Sequence, residues 1–576
     1  MPNMSLPLLV TLESPTDLKK LNRRQLPQVA SEIRQLILET TNQNGGHLGS
    51  GLGVVELTIA LHYLFDSPND QIVWDVGHQS YPHKILTGRR REFATIKLPH
   101  GLSGFPTRIE SEHDSFGVGH SSTAISAATG LAIAKRLQNK SSLTITVVGD
   151  ASLTGGLSLE GLNHLADLNE NVLIIVNIND ISIDPHQGKV AKSALYQKFI
   201  AGFGLELENQ GQPIDGHNFA ELLKHLNQIK KSALTKPKTR VLLVKTVKGQ
   251  GYQPAIDSPT EYHGVKAGFL DQKNTSRPKT VIQDWSDVAG QTLYQLMKKD
   301  SKIVVICPAM ASRSGLQTIM TDFPERFFDP GIVEQHALTL AAGLAANNLK
   351  PFVVIASTFL QRAYDQLVHD ICLQKLPVTL LIDRTGESCD GPTHSGILDL
   401  QFLSGLPHLE VIAPCSSPEL SLAIKHAHRQ NHAPVAIRFP KIKVAASADS
   451  TTNTSQITHL QPFYHVKTIL ESTSTTAHLK VAWLYFGKTQ SSTVRDQITL
   501  YHQKFETDPQ TKIIDLYHCQ FLKPFPEIDF AQNIFPHYDY LITTEDGVTE
   551  GGGFGARVAQ AAAKHHYSGQ LINLGL

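Results

Sequence analysis

The sequence has few cysteines, no net charge and no long hydrophobic run, and each of these absences excludes a class of protein. Its five cysteines are odd in number and scattered without a CxxC pair, which argues against a disulfide framework and a zinc site. Lys plus Arg equals Asp plus Glu at 52 each, so the charge balance gives no support for binding nucleic acid or a membrane surface. No apolar run approaches the roughly 20 residues of a membrane-spanning helix.

The N-terminal segment also lacks the pattern of a secretion signal. Its apolar stretch is short, has no basic flank and stops at Glu13. Hydrophobic residues make up 41% of the 576 residues, which is enough for buried cores, and this length indicates several domains. We therefore expect a cytoplasmic protein of several domains.

Short apolar runs recur along the chain, and each ends in polar residues. Strands that are buried on both faces read as nearly continuous Val, Ile and Leu, which is typical of parallel sheets. Helical stretches such as STAISAATGLAIAKRL lie between the runs, so the pattern predicts repeated α/β units. The runs are LTITVVGD, VLIIVNIND, RVLLVKT, KIVVICPA, PFVVIAST, PVTLLIDR, LEVIAPC, PVAIRFP, KVAWLYFGK, KIIDLYH and YLITTED.

Two stretches of low complexity divide the chain. One is DQKNTSRPKT at residues 271–280, and the other is the Ser/Thr-rich stretch from Ala445 to Thr476. Both compositions are typical of linkers. The chain is thereby predicted to form domains at residues 1–278, 279–445 and 446–576, the last of which includes the second linker. In such folds ligands bind at the carboxyl ends of strands, so the residues after each run are the candidates for function.

Two of the apolar runs end in side chains that carry oxygen. Asp150 follows one run, and Asn179 follows the next 29 residues later, a separation that suits one strand–helix–strand crossover. With a backbone carbonyl, these groups suit an Mg²⁺ ion that clamps a diphosphate. A helix starting near Leu153 would direct N–H groups towards the anion. A Gly-Asp pair after a strand is also ordinary turn chemistry, so the pair alone does not decide between the two interpretations.

The longer motifs around these residues resemble those of the transketolase-like thiamine-diphosphate enzymes, most closely the 1-deoxy-D-xylulose-5-phosphate synthase family. The stretch GDASLTGGLSLEGLNHLADLNENVLIIVNINDISI is similar to the thiamine-diphosphate motif of that family. The similarity extends over almost the whole chain, with motifs in the same order. They are NGGHLGSGLG, WDVGHQSYPHK, FGVGHSSTA, KGQGYQP, PGIVEQHALT, STFLQRAYDQ and DRTGESCDGPTHSG.

The resemblance implies a fold, an assembly and a reaction. It implies three transketolase-like α/β domains, each built on a mostly parallel sheet flanked by helices. The first domain holds the diphosphate, the second holds the aminopyrimidine ring, and the third resembles the C-terminal domain of transketolase. It also implies a homodimer, in which one chain supplies both halves of its active site, with thiamine diphosphate and Mg²⁺ as cofactors. The implied reaction condenses pyruvate with glyceraldehyde 3-phosphate, releasing CO₂, to give 1-deoxy-D-xylulose 5-phosphate for isoprenoid, thiamine and pyridoxal synthesis.

The resemblance also implies roles for individual residues. The implied metal ligands are Asp150, Asn179 and Ile181. The implied contacts with thiamine diphosphate are His78, Gly119, His120, Ser121, Ala151, Ser152, Asn179, Tyr252, Glu334 and Phe359. Imidazoles suit proton transfer near neutral pH, and the candidates are His47, His78, His263 and His394. The implied contacts with substrate are Arg384, Asp390, His394 and Arg438.

Glu334 is the residue with the most direct implied effect on the chemistry. A carboxyl group hydrogen-bonded to the pyrimidine ring favours the imino tautomer, which removes the proton from thiazolium C2, and the cofactor is the electron sink. A glutamate in a helix is otherwise ordinary, so this role depends on the resemblance of the EQH motif. Phe359 would stack on the pyrimidine ring, as aromatic faces do.

The sequence departs from the family pattern at five places. Ala151 replaces the second glycine of the usual GDG. Ala356 stands where the family usually has a tyrosine that helps to hold the acceptor phosphate, and PKIK follows Phe439 in place of PRG. The segment between Gln187 and Gly216 is shorter than the usual loop, and the sequence stops at NLGL, where the family continues.

These departures leave three hypotheses open. The chain is an active synthase, a related carboligase or transketolase with a different acceptor, or a non-catalytic paralogue. A paralogue without activity has no physical need to keep Glu334, Asp150 and Asn179 together with the histidines. The loss of a tyrosine at Ala356 keeps a different acceptor possible, unless Lys441 or Lys443 fills the gap.

Overall fold

The computed structural model describes residues 6–192, 195–270, 284–443, 459–488, 492–549 and 551–576. The chain divides into two compact units. The first unit comprises residues 1–277 with the short segments 331–333 and 389–393, and the second unit comprises residues 278–330, 334–388 and 394–576. The predicted linker at 271–280 and both predicted domain boundaries, at 278/279 and 445/446, lie outside the described residues.

The first unit is built on one parallel sheet. Its strands are β1 (Gln71–Trp74), β2 (Thr144–Gly149), β3 (Val172–Ile178), β4 (Glu206–Leu207), β5 (Ile214–Asp215) and β6 (Arg240–Lys245). They run in the order β1-β2-β3-β6-β4, and β5 also pairs with β6. Every residue of β3 is buried, which explains why all of them except Asn177 are apolar.

Helices flank this sheet, and several of the longer ones bury one apolar face. In α6, for example, the buried residues recur three or four positions apart, as in an amphipathic helix. The described helices are α1 (Pro15–Lys20), α2 (Leu26–Asn44), α3 (Gly49–Gly53), α4 (Val55–Leu64), α5 (Tyr81–Lys84), α6 (Ala124–Leu137), α7 (Asp150–Leu153), α8 (Gly156–Leu168), α9 (Lys189–Lys192), α10 (Tyr196–Ala201), α11 (Phe219–Thr235) and α12 (Gln253–Asp257).

The second unit contains two further sheets. Its strands are β7 (Ile303–Ile306), β8 (Phe327–Phe328), β9 (Lys350–Ala356), β10 (Thr379–Asp383), β11 (Glu410–Ile412), β12 (Val435–Arg438), β13 (Phe463–Glu471), β14 (Leu479–Phe486), β15 (Thr511–Cys519), β16 (Phe521–Lys523), β17 (Tyr540–Glu545) and β18 (Gln570–Leu574). One sheet has the order β16-β11-β12-β10-β9-β7-β8, and the other has the order β13-β15-β14-β17-β18. Only the edge strands β16 and β13 pair antiparallel among the described strands.

All of the apolar runs identified in the sequence contain strands of these sheets, so the predicted α/β class with mostly parallel sheets is confirmed. The helices of the second unit are α13 (Trp285–Met297), α14 (Gln317–Asp322), α15 (Glu334–Ala346), α16 (Ser357–Leu360), α17 (Tyr364–Gln366), α18 (Asp399–Gly405), α19 (Ser417–Arg429), α20 (Ser492–Glu506), α21 (Glu527–Asn533) and α22 (Gly553–Lys564). Across the described residues, no helix combines the length and the apolar character that a membrane span requires.

The prediction that the whole Ser/Thr-rich stretch is a linker is wrong for its second half. Strand β13 lies inside it and pairs antiparallel with β15. Its residues are mostly half-buried or exposed, because an edge strand keeps one side towards water. Such a strand lacks the continuous apolar run by which the others are recognised. The first half, residues 445–458, lies outside the described residues.

A buried pair of histidines lies between α4 and α5 in the first unit. His62 Nε2 and His83 Nδ1 are 2.9 Å apart, and His83 Nε2 is 3.0 Å from Asp114 Oδ1. Arg89 binds both oxygens of Asp114 at 2.7 and 2.8 Å. Burial lowers the pKa of His83 to about 4 and lowers the pKa of His62 well below its usual range. Both rings therefore stay neutral at pH values where an exposed histidine is charged.

We expect acid to destabilise the first unit through this pair. An unfolded histidine has a pKa near 6.5, so between pH 6.5 and about 4 the unfolded chain binds more protons than the folded chain. The contribution of His83 to the free energy of unfolding is fully present above pH 6.5. It decreases by up to about 3 kcal/mol as the pH falls to about 4. Thermal unfolding at pH 7 and pH 5 tests this. His62→Gln should shrink the loss on acidification, the exposed control His164→Gln should not, and equal losses in both would contradict the account.

Candidate active site

Asp150 lies where β2 ends, beside the end of its parallel neighbour β3. This is the arrangement that the 29-residue separation from Asn179 predicts. The Asp150 residue is 1% exposed. Its carboxylate accepts backbone N–H groups from Ala151, Asn179 and Asp180, each at 2.9 Å. Three donors hold the carboxylate in one orientation at the carboxyl edge of the sheet, which is where ligands bind in folds of this class.

The surroundings of Asp150 fit a divalent metal ion. The Asn179 side-chain oxygen lies in the adjoining turn, where it accepts the N–H of Ile181 at 3.3 Å. Asp180 and His186 bring further ligand atoms, and these lie with an Asp150 oxygen within 4.8 Å of one another. A buried carboxylate with amide and carboxylate oxygens nearby suits the oxygen preference of Mg²⁺.

Two short helices follow Asp150. The sequence predicts one helix starting near Leu153, whereas α7 spans Asp150–Leu153 and α8 begins at Gly156. Ala151 lies within α7, and it is absent from the described residues with positive φ. An alanine is therefore compatible with this position, although the usual motif has glycine.

The turn that carries Gly119 and His120 packs against the segment 389–393 of the same unit. His120 Nε2 lies 2.8 Å from the carbonyl oxygen of Thr393. A Cβ atom on Gly119 would lie 2.4 Å from the Thr393 Cβ, so only glycine allows this close approach. The structure thus holds this predicted cofactor-binding turn by its contact with Thr393.

Two serines predicted to contact the cofactor lie close to each other. Ser121 and Ser152 are both buried. Ser122 joins them, because its hydroxyl donates to the Ser152 carbonyl at 2.9 Å and lies 3.5 Å from the Ser121 hydroxyl. Asp75 anchors the same turn by accepting the Ser122 N–H at 2.9 Å. The turn at Ser121 and the start of α7 therefore form one hydrogen-bonded group.

Three of the four predicted histidines lie together in the first unit. The ring centres of His47 and His78 are 6.1 Å apart, and those of His47 and His263 are 5.6 Å apart. His78 and His263 stack at 5.4 Å. The structure thus gathers residues from three distant sequence motifs into one group of imidazoles.

Lys248 belongs to this histidine group and was missed by the sequence interpretation. The buried Lys248 Nζ lies 2.9 Å from His263 Nδ1 and also donates to the carbonyl of Ser182. A charged lysine has donors only, so its contact makes Nδ1 of His263 the acceptor and places the proton of the neutral ring on Nε2. The sequence feature that could have indicated Lys248 is its position after an apolar run and directly before the glycines of KGQGY.

Two other predicted residues of the first unit have different surroundings. The ring of Tyr252 packs against Tyr262 at 5.7 Å and Phe269 at 6.3 Å. Asp390 Oδ1 forms an ion pair with Lys97 at 2.6 Å. Tyr252 therefore lies in an aromatic cluster, and Asp390 anchors the segment 389–393.

In the second unit, Glu334 begins α15 and is 3% exposed. Arg362 Nε donates to its Oε2 at 3.0 Å. Burial raises the pKa of Glu334, and the charge of Arg362 opposes this rise. The rings of Phe359 and His394 meet edge to face at 5.6 Å. A buried carboxyl that holds its proton more readily than usual suits a hydrogen bond to a ring nitrogen, as the resemblance implies for Glu334.

Arg384 directly follows β10 and adopts a left-handed backbone conformation with φ of 56°. This conformation is uncommon for residues other than glycine and often marks a functional position. Its guanidinium contacts Asp383 and donates to the Arg313 carbonyl at 2.9 Å. Lys441 Nζ donates to the same carbonyl. Two cationic side chains therefore converge at this strand end.

Arg438 ends β12, the strand that pairs with β10, and its register partner is Ile382. It is 3% exposed, and its guanidinium binds Asp399 at 3.0 and 3.1 Å and the Asp546 carbonyl at 3.3 Å. These bonds use Nε and Nη2 of the guanidinium, and the prediction that Arg438 contacts the substrate stays a prediction. Ala356 ends β9 and is 2% exposed, so its side chain is buried.

Two family models match long segments of the chain. The family model described as 1-deoxy-D-xylulose-5-phosphate synthase matches residues 9–203, and the model for the transketolase pyrimidine binding domain matches residues 282–446. Among solved structures, the transketolase from Campylobacter jejuni is 18% identical and covers 96% of this chain and 95% of its own, with a TM-score of 0.39.

Curated relatives are similar over nearly the full length. The 1-deoxy-D-xylulose-5-phosphate synthase of Listeria monocytogenes is 39% identical, over 98% of this chain and 91% of the relative. The enzyme of the same name from Thioalkalivibrio sulfidiphilus is 38% identical, over 99% of this chain and 91% of the relative. At this identity and coverage, the chain belongs to the 1-deoxy-D-xylulose-5-phosphate synthase family.

Proposed function

We propose that the chain performs the reaction of its family through one group of residues in each unit. As a family member, it is a thiamine-diphosphate- and Mg²⁺-dependent transferase that condenses pyruvate with glyceraldehyde 3-phosphate to give 1-deoxy-D-xylulose 5-phosphate and CO₂. The observation that carries the assignment of its residues is the buried, triply hydrogen-bonded carboxylate of Asp150 at the carboxyl edge of the first sheet.

In the first unit, residues at the ends of β2 and β3 bind the metal and the diphosphate. Asp150, Asn179 and the carbonyl of Ile181 hold Mg²⁺, since all three offer hard oxygen ligands. Ala151 and Ser152 lie in α7, and with the turn at residues 119–121 they provide backbone and hydroxyl donors for the phosphate oxygens. The contacts of the Ser122 hydroxyl with both Ser121 and Ser152 support this shared role.

In the second unit, Glu334 and Phe359 bind the aminopyrimidine ring. Bound thiamine diphosphate supplies the electron sink for the reaction. Glu334 donates a hydrogen bond to a ring nitrogen, and Phe359 packs on the ring face. The burial and raised pKa of Glu334 support this role, and Arg362 positions its carboxyl group.

The four predicted histidines serve the proton transfers. His47, His78 and His263 form one group, in which Lys248 sets the tautomer of His263 so that its Nε2 carries a proton. A neutral imidazole with a defined tautomer can donate a proton from one nitrogen, as general acid catalysis requires. His394 lies beside Phe359 in the second unit, where it is available to the substrate bound there.

Arg384 and Lys441 bind the phosphate of the acceptor aldehyde. Arg384 follows β10, Lys441 follows the neighbouring β12, and both donate to the Arg313 carbonyl. Arg438, which ends β12, keeps its predicted role at the phosphate, with Nε and Nη2 held by Asp399. The tyrosine expected at position 356 is absent, and Lys441, in the loop after β12, provides a positive charge in its place. An arginine fork with a lysine point charge is a common combination for phosphate.

Lys441→Ala is expected to raise the KM for glyceraldehyde 3-phosphate about tenfold or more and to leave the KM for pyruvate unchanged. A hydrogen bond to a charged group contributes about 1.5 to 3 kcal/mol, which corresponds to this factor. Steady-state kinetics with each substrate varied in turn measure it. The matched control is Lys443→Ala, two residues along the same loop, and an equal effect of both variants would contradict the role of Lys441.

The pH dependence of acceptor binding provides an independent check. Lys441 is exposed as a whole residue, but other protein atoms surround its amino group. This burial of the amino group, with the positive charge of Arg384 nearby, lowers the pKa of Lys441 to about 8. Because lysine is charged only below its pKa, the KM for the phosphorylated acceptor should rise as the pH passes 8. Lys441→Arg keeps the charge and should abolish that rise. A rise that persists in Lys441→Arg would assign it to another group.

The proposal extends to domains and assembly. Residues 1–278 form the diphosphate-binding domain, residues 279–445 the pyrimidine-binding domain, and residues 446–576 the linker and the transketolase-like C-terminal domain. The match of the pyrimidine-binding family model to residues 282–446 supports the second of these. The protein is a cytoplasmic homodimer that binds neither nucleic acid nor membrane. Sedimentation should give about twice the chain mass of 63.2 kDa, and a species of 63.2 kDa at micromolar concentration would contradict the dimer.

The identity of the acceptor separates the proposed function from its alternatives. We expect incubation with thiamine diphosphate, Mg²⁺, pyruvate and a panel of aldehydes to give product with glyceraldehyde 3-phosphate in preference to unphosphorylated aldehydes. Preference for another aldehyde would favour a carboligase of different specificity. The alanine at position 356, where the family usually has tyrosine, is the observation behind this alternative. The absence of CO₂ release with every aldehyde would favour a non-catalytic paralogue.

A further inference from the structure

A buried histidine outside the matched motifs lies against the proposed metal site. His186, in the loop after β3, is 7% exposed, and its Nε2 lies 3.2 Å from Asp150 Oδ1. Neither ring nitrogen makes a hydrogen bond to another described residue. Its ligand nitrogen and one oxygen each of Asp150 and Asp180 lie within 4.8 Å of one another. The loop thus directs an imidazole towards the carboxylate that we assign to the metal.

The contact between His186 and Asp150 does not have the geometry of a hydrogen bond, and its length suits two ligands of one ion. A buried polar group without a hydrogen bond costs about 1 to 3 kcal/mol, so an imidazole in this position requires a partner. Two ligands at right angles around an ion, each about 2.1 Å from it, are about 3.0 Å apart. The observed separation of 3.2 Å between Nε2 and Oδ1 is close to that value.

We infer that His186 Nε2 is a ligand of the metal ion held by Asp150, with the carboxylate of Asp180 adding negative charge beside it. This inference rests on the proposed metal site and goes beyond its oxygen ligands. Mg²⁺ prefers oxygen, whereas imidazole nitrogen favours first-row transition ions such as Mn²⁺ and Co²⁺. The site therefore binds Mn²⁺ more tightly than Mg²⁺ by a margin to which His186 contributes.

Pulsed electron paramagnetic resonance of the full chain with MnCl₂ and thiamine diphosphate tests the ligand directly. Nuclei bound to Mn²⁺ show hyperfine coupling, and protein grown with ¹⁵N-labelled histidine separates a histidine nitrogen from the nitrogens of thiamine. We expect a ¹⁵N coupling in the labelled wild type and its loss in labelled His186→Asn. The exposed residue His164 provides the matched control, and His164→Asn should keep the coupling.

Titration of the same proteins with each metal provides a second readout. In His186→Asn the Kd for Mn²⁺ should rise about tenfold or more, whereas the Kd for Mg²⁺ should change less than about threefold. A wild type that binds Mn²⁺ without histidine coupling, or an unchanged ratio of the two Kd values in His186→Asn, overturns the inference and leaves the Asp150 site intact. Mn²⁺ binding that is also unaffected by Asp150→Asn overturns both the inference and the metal site.

Discussion

Asp150→Asn is expected to weaken the binding of thiamine diphosphate with Mg²⁺ at least about 100-fold. Loss of a residue that only supports a metal ligand typically costs 10- to 100-fold in metal affinity, and loss of a charged ligand costs no less. Asparagine has nearly the same shape, but it lacks the negative charge and replaces one acceptor oxygen by a donor that faces backbone N–H groups. Isothermal titration calorimetry with cofactor and Mg²⁺ measures the loss.

The control for this substitution is Asp167→Asn, an identical change at an exposed position of α8. It should bind the cofactor as the wild type does. Circular dichroism should show that both variants retain the α/β fold, which separates lost binding from lost structure. Cofactor affinity within threefold of wild type in folded Asp150→Asn would contradict the assignment of this carboxylate to the metal.

Glu334→Gln is expected to retain cofactor binding within about threefold and to lose at least about 100-fold in turnover of pyruvate. Acid and base groups that act on proton transfers typically contribute 10²- to 10⁴-fold to the rate. A glutamine keeps the size of the side chain but removes the acidic proton whose hydrogen bond favours the reactive tautomer. Exchange of the C2 proton of bound cofactor, followed by NMR, isolates this effect from later steps.

Glu325→Gln is the matched control, because Glu325 is exposed and lies nine residues before Glu334. It should exchange the C2 proton at the wild-type rate. Arg362→Lys adds a second comparison, since Arg362 donates to the Glu334 carboxylate. It should slow exchange less than Glu334→Gln does. Wild-type exchange in folded, cofactor-bound Glu334→Gln would remove Glu334 from the reaction.

The sequence predicts the sheets well because of how parallel strands are buried. Strands covered on both faces are apolar at nearly every position, and β3 illustrates this with no exposed residue and Asn177 as its one polar residue. Strand β13 escapes the same reasoning, since an edge strand that is half exposed has mixed composition and resembles a linker. The short helix α7 at Asp150–Leu153 is also not predicted, because four residues are too few for a periodic pattern.

The site is predictable where a motif places a residue at a strand end, and less so where long-range partners decide. Asp150 and Asn179 meet as expected because neighbouring parallel strands end at one edge. Arg438 forms a buried ion pair with Asp399, 39 residues earlier, and nothing local indicates this pairing. Lys248 and His186 likewise lie in loops that follow strands. The pattern of apolar residues predicts the strands but not the paths of these loops.

The most direct test of the account follows the carbon atoms of the donor. The full-length protein is incubated with thiamine diphosphate, Mg²⁺, glyceraldehyde 3-phosphate and pyruvate labelled with ¹³C at C2, and ¹³C NMR records the products. We predict that the label appears at the keto carbon C2 of 1-deoxy-D-xylulose 5-phosphate, with CO₂ unlabelled, and that Glu334→Gln forms this product at least about 100-fold more slowly. Labelled pyruvate that remains unchanged, or a labelled product that lacks the three carbons of the acceptor, would contradict the account.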